Sequence, residues 1–145
     1  MTIEQKFNQL LANIPNQKIE VSDSSNVYQC MDLAYLWVFV LCYPKETIQH
    51  RYAYEVFTKA SLTTIKYFDL IPNTPKGVPS VGDLAIFNKG TGIGIAGHIA
   101  IVAKKPVGIM EFTSLDQNWR QMQPPTLTVH NYNKVLGWLH PRVVN

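Results

Sequence analysis

The sequence predicts an α+β fold in which N-terminal helices pack against a curled, mostly antiparallel β-sheet. As far as about residue 60 the apolar residues recur at helical spacing or merge into one long apolar run. From Asp83 onward they fall instead into short alternating stretches divided by Gly, Pro and polar residues. Between the halves, SLTTIKYFDLIPNTPKGVPS is punctuated by proline and reads as a series of turns.

In chain order, Ile3, Phe7, Leu10, Leu11 and Ile14 share one face of a first helix that Pro15 ends. The polar NQKIEVSDSSN reads as a loop whose Ser24, Ser25 or Asn26 caps a second helix, expected over about 26–42. That helix is apolar on almost every side and should run through the core until Pro44 closes it. A third helix is expected over about 46–60, with Tyr54 and Phe57 inward. DLAIF, HIAIVA, GIMEFTS, TLTVHN and VLGWLH then read as strands.

A chain of 145 residues, 46% hydrophobic and 16% charged, can bury a core as one domain spanning 1–145. Its net charge of +3 is modest and its basic residues form no block, which argues against nucleic acid as a partner. Glu4 and the lack of a continuous apolar segment at the start exclude a signal-peptide reading. The apolar run ending at Cys42 is too short for membrane insertion. The chain is expected to be made in the cytoplasm; if it acts outside, something other than its own leader must release it.

The chemistry centres on two cysteines, Cys30 and Cys42, twelve positions apart. On one helix that separation is about 18 Å, well beyond the ~7 Å a disulfide spans, so they are expected to be independent thiols. The first turn of a helix favours a thiolate, and its unpaired N–H groups can receive an oxyanion. Cys30, in VYQCMD, falls where both advantages apply, although a small core hydrophobe would suit the position too. Cys42, embedded in VFVLCY, reads as a buried and inert thiol.

A cysteine nucleophile needs a base, and the base needs an orienting group. Of the histidines, His50 and His140 read as surface residues, whereas His98 opens the strand HIAIVA and can face a cleft. The next strand offers Asp116 and Asn118, which share a face by alternation, with Glu111 as a rival orienter. Gly92, Gly94 and Gly97 spell GxGxxG but run into strand-like residues, which excludes the dinucleotide fingerprint. A loop that lets a substrate backbone approach His98 at Gly97 fits better. Trp119 is a candidate cleft wall. Neither HExxH nor CxxC is present to suggest zinc. Asp23 and Asp32 flank Cys30 and are candidate calcium ligands, with Asp32 equally readable as a helix-start charge.

Taken in order, QCMDLAYLW, PSVGDLAIFNKG, GHIAIVAK, LDQNW and VLGWLHPRV resemble the CHAP family of cysteine, histidine-dependent amidohydrolases/peptidases, from about Asp23 to Arg142. The resemblance implies a papain-like α+β catalytic domain of the kind found in phage endolysins and bacterial autolysins. Its expected substrate is peptidoglycan, cut as an N-acetylmuramoyl-L-alanine amidase or as a peptide endopeptidase. By the same resemblance Cys30 is the nucleophile, His98 the base, Asp116 the orienter in place of a commoner glutamate, and Asn118 its companion. Gln29 would neighbour the oxyanion. The chemistry would need no cofactor, and a structural Ca²⁺ would draw on Asp23 and Asp32, with Val21 where a further carboxylate is usual. The partner implied is the bacterial wall, reached by a free-standing enzyme or by one joined to a wall-binding domain. Hydrolysis of ordinary polypeptides and a catalytically silent wall-binding module are the alternatives.

Overall fold

The computed structural model describes residues 1–19, 30–119 and 123–142. Helix α1 (Ile3–Asn13) starts with a capping box: the Thr2 hydroxyl accepts the Gln5 N–H at 3.1 Å, and Gln5 Oε1 accepts the Thr2 N–H at 2.9 Å. Phe7 is buried, and Ile3, Leu10, Leu11 and Ile14 pack against the same core, so the helical face read from the sequence is the one used. Helix α2 (Cys30–Val40) buries Leu33, Ala34, Trp37 and Val38. The expected start near 26 and the capping candidates Ser24, Ser25 and Asn26 lie outside the described residues.

The end of α2 corrects one expectation. The Tyr43 N–H donates to the Val38 carbonyl at 3.0 Å and the Cys42 N–H to that of Phe39 at 2.9 Å, with Cys42 at φ +62°. These are the bonds of a Schellman cap, which turns the residue after the helix into the left-handed region. Cys42 is therefore exposed rather than buried, because the capping turn swings it off the helix.

The single helix expected over 46–60 does not form. A 3₁₀ turn at Lys45–Thr47 and a short helix α3 (Glu55–Thr58) take its place. The Tyr54 N–H donates to the Ala96 carbonyl at 3.1 Å, so a long-range bond takes a donor that a continuous helix would have used. Part of the stretch read as turns is instead helix α4 (Leu62–Tyr67), capped reciprocally by Ser61 and Thr64. The Thr64 hydroxyl also donates to the Thr47 carbonyl at 2.6 Å, tying α4 to the 3₁₀ turn.

The strands are β1 (Phe68–Pro72), β2 (Leu84–Phe87), β3 (His98–Lys104), β4 (Glu111–Asp116), β5 (Thr126–Asn131) and β6 (Val135–Pro141). All neighbours pair antiparallel in the order β1-β6-β2-β3-β4-β5. The curled sheet expected from the sequence is thereby corrected: the ladder is open, with β1 and β5 at opposite edges. Strand alternation reports which residues face a core but says nothing about whether the outermost strands meet.

Both faces of the central strands are buried. Leu84, Ile86, Ile99 and Ile101 join Phe7, Leu33 and Trp37 beneath the helices. Ala85, Phe87, Val102, Phe112 and Trp138 form a second cluster. Trp37 Nε1 donates to the Gly82 carbonyl at 2.8 Å, fixing α2 to the approach to β2. His140, read as a surface residue, is only partly exposed and bonds through Nδ1 to the buried Asp83 carboxylate at 2.7 Å.

Gly97 sets the start of β3. Its φ is +68°, and a Cβ there would fall on the Phe87 carbonyl oxygen and lie 2.9 Å from Tyr54 Cβ. Gly97→Ala is expected to destabilise the protein by about 2 kcal/mol or more, from backbone strain added to overpacking. A urea midpoint equal to that of the wild type would refute this account of the glycine.

Candidate active site

Three elements deliver the site. Helix α2 packs against β3 and presents Cys30 at the first residue of its described span, buried except for 8% of its surface. Strand β3 opens with His98, and β4 ends with Asp116. Ile101 pairs with Leu115 and Val102 with Ser114, so Asp116 stands diagonally across from His98 on the same sheet face. The connection between the two strands runs over six residues, 105–110, rather than closing as a tight hairpin.

His98 Nε2 donates to Asp116 Oδ2 at 2.7 Å, and both side chains are almost fully buried. That bond leaves Nδ1 as the ring nitrogen available to the neighbouring Cys30 thiol, whose interaction with His98 contributes to its raised pKa. Burial is the largest single influence on the His98 pKa and opposes the charged ring. Hydrogen bonds to Asp116 and Cys30, with the charges of both, outweigh it and raise the value from 6.5 to about 9. On Asp116, burial likewise disfavours charge. Hydrogen bonds from His130 and His98 prevail and hold the carboxyl below the ordinary aspartate value.

The other sequence candidates distribute unevenly. Asn118 lies two residues beyond the end of β4 at φ +61°, so it owes its direction to a left-handed bend that Asn tolerates and not to strand alternation. The Trp119 ring lies 4.8 Å from that of His98, tilted by 56° to it. Gly97 turns its open side toward Phe87 and Tyr54. Glu111 is exposed at the far end of β4, paired with Asn131 and remote from Asp116. Gln29 and Asp23 lie outside the described residues. Asp32 is buried on α2; its charge adds to burial in raising the Tyr35 phenol above its ordinary pKa. Among the described residues no group of three or more His, Cys, Asp or Glu is gathered as a metal site. Asp32 is thus the one described member of the calcium pair.

Two residues escaped the sequence reading. His130 on β5 places Nε2 2.9 Å from the same Asp116 Oδ2 that receives His98, while the Ser114 hydroxyl donates to Oδ1. Its position in TLTVHN, as the one aromatic residue of an alternating stretch, was the available signal. Gln117 is fully buried and makes a double bond pattern with Ile19: its Nε2 donates to the Ile19 carbonyl at 2.8 Å, and its Oε1 accepts the Ile19 N–H at 2.7 Å. The residue after Asp116 thereby anchors the described end of the segment that leads toward Cys30. A cavity of about 230 Å³ adjoins Trp119 and His130, bordered by Thr91, Ile93, Asn131 and Lys134. A larger one of about 390 Å³ lies under the β3–β4 connection and touches none of Cys30, His98 and Asp116.

With that geometry the comparisons agree. The CHAP domain model matches residues 21–118. The fold resembles the crystal structure of the wild-type endolysin LysIME-EF1, with a TM-score of 0.72 at 21% identity, over 97% of this chain and 64% of that one. It also resembles Ly7917 solved with the hydrolyzing product of MDP, with a TM-score of 0.67 at 17% identity, over 97% of this chain and 63% of that one. The chain thus spans a little under two thirds of the length of these structures. No curated protein sequence matches it.

The raised His98 pKa links the site to stability. A histidine more basic when folded contributes its full stabilisation below the unfolded value of about 6.5, and that contribution disappears as pH rises toward about 9. Urea unfolding is expected to show falling stability across this window, and Asp116→Asn should flatten the fall by removing the carboxylate. A slope unchanged in Asp116→Asn would count against the buried pair as its source.

Proposed function

Because the chain belongs to the CHAP-domain family, we propose that residues 1–145 form a cysteine-dependent hydrolase that cleaves an amide bond of bacterial peptidoglycan. The observation that carries the reading is the buried relay from Cys30 through His98 to Asp116. The family match and the fold shared with the endolysin LysIME-EF1 support the substrate class.

In this mechanism His98 takes the Cys30 proton at Nδ1, since Nε2 is committed to Asp116. The thiolate attacks the amide carbonyl carbon, a C–S bond forms, and the carbonyl π pair moves onto oxygen. Backbone N–H groups at the start of α2, with the Gln29 side chain, receive that oxyanion. As the tetrahedral intermediate collapses, the C–N bond breaks and His98 returns its proton to the leaving amine. Water, deprotonated by His98, then cleaves the thioester and restores the thiol. Asp116 holds the imidazolium through both halves, Asn118 borders the cleft, and Trp119 and Gly97 shape its wall.

No step passes through a metal. A Ca²⁺ held by Asp23 and Asp32 would have a structural role, binding the segment before Cys30 to α2. Such an ion would raise the melting temperature in the presence of calcium and lose that gain on chelation. A melt indifferent to both additions removes calcium from this reading. The enzyme would act on the wall after release from the cytoplasm, alone or joined to a wall-binding domain.

Cys30→Ala is expected to lower hydrolysis of purified cell walls by about a thousandfold or more, as loss of a nucleophile does. Wild-type turnover by that variant would sink the proposal. Mass spectrometry of the wild-type products assigns the bond: new peptide N-termini without freed lactyl groups mark an endopeptidase, and freed lactyl groups an amidase. Cleavage of protein substrates with intact walls untouched would instead mark an ordinary peptidase.

A further inference from the structure

Asp116 is bound more heavily than a two-membered relay requires. Its Oδ2 receives His98 at 2.7 Å and His130 at 2.9 Å, and its Oδ1 receives the Ser114 hydroxyl. His130 is as buried as His98, although it stands on β5, on the far side of β4. Aromatic rings fix it from several directions: Trp119 at 4.5 Å, edge-on, Phe87 at 4.8 Å and Phe112 at 5.4 Å. Trp119 also lies 4.8 Å from His98, so one indole packs against both imidazoles. Such a cage leaves His130 little freedom to turn away from the carboxylate.

We propose that His130 is a positioning residue for the Cys30–His98 pair: it anchors Asp116 and divides the carboxylate charge between two imidazoles, which limits how tightly Asp116 binds the His98 imidazolium. The proposal rests on the hydrolase reading for its catalytic consequence, but not for its electrostatic one. An acceptor oxygen that serves two donors binds each less strongly than it would bind one. Among the hydrogen bonds holding the Asp116 carboxyl below its ordinary pKa, that of His130 is the largest. Among the described residues, the titratable groups facing His98 are Cys30 from α2 and Asp116 from β4, and Asp116 in turn faces His130 from β5. From β2 the neighbour is the uncharged Phe87. Lys134 borders the cavity adjoining His130.

The effect on His98 has a definite sign. Removing the second donor returns the Oδ2 charge to His98, so its imidazolium becomes harder to deprotonate. A base held too firmly as the cation is a poorer donor to the leaving amine and a slower base toward water.

The test is histidine ¹³Cε1 titration by NMR of the full chain, with His98 assigned through His98→Gln, beside wall hydrolysis over the same pH range. His130→Phe keeps an aromatic ring in the cage without the donor. It is expected to raise the His98 midpoint by about half to one unit, move the alkaline limb of kcat/KM the same way, and lower kcat about tenfold with KM unchanged. His130→Leu removes the donor with a smaller side chain and should shift the midpoint in the same direction. His130→Gln, whose amide can reach Oδ2, should restore a midpoint within about 0.3 unit of the wild type. An unmoved or lowered midpoint in the two variants without a donor overturns the role, as does failure of Gln to rescue it. A raised midpoint in a protein that hydrolyses no wall upholds the role of His130 and sinks the hydrolase reading alone.

Discussion

The carboxylate of Asp116 is the point on which this structure turns. A buried ionised carboxyl is expensive to keep unless its oxygens are filled with donors. Here His98, His130 and Ser114 supply them from three neighbouring strands. The cost of burying that charge and the alignment of the catalytic ring are one arrangement. The same bonds that make Asp116 tolerable in the interior dictate which nitrogen of His98 turns toward Cys30. The sheet is thus both scaffold and electrostatic partner, and β5, an edge strand, becomes part of the site through a single side chain.

Cys30 reaches this cluster from the opposite layer. Helix α2 packs on β3 beneath Ile99 and Ile101, while His98 belongs to the other face of the same strand. The thiol meets the imidazole where the first described turn of α2 adjoins the start of β3. Two ties hold that end in register. Trp37 bonds the Gly82 carbonyl and locks α2 against the approach to β2. Gln117 pairs with the backbone of Ile19, so the turn leaving β4 is also tied to the described chain that follows α1. Gly97 admits the Phe87 carbonyl and Tyr54 where a side chain would collide. Each tie acts some distance from the reacting atoms and fixes where they stand.

Much of this was readable without coordinates because it depends on local pattern. The face of α1 follows from the spacing of Phe7, Leu10 and Leu11, and the core course of α2 from an apolar run wider than one stripe. Burial of β2 and β3 follows from LAIF and HIAIVA. The readings that failed depended on partners far along the chain. The helix expected through 46–60 gives way where Tyr54 bonds Ala96, the burial assigned to Cys42 is undone by a capping turn, and the curl of the sheet was never encoded in strand alternation.

The sequence by itself supplied the cast: a thiol near a helix start, a histidine opening a strand, and an aspartate on the next one, in an order that matches one family. Those features are periodic or positional, and nearest neighbours along the chain suffice to express them. Only the tertiary structure decided that His130, fourteen residues beyond Asp116, shares its oxygen with His98, and that Gln117 pairs with the backbone of Ile19. Strand register and the crossing of layers set those contacts, and both arise from packing among residues that the sequence separates widely.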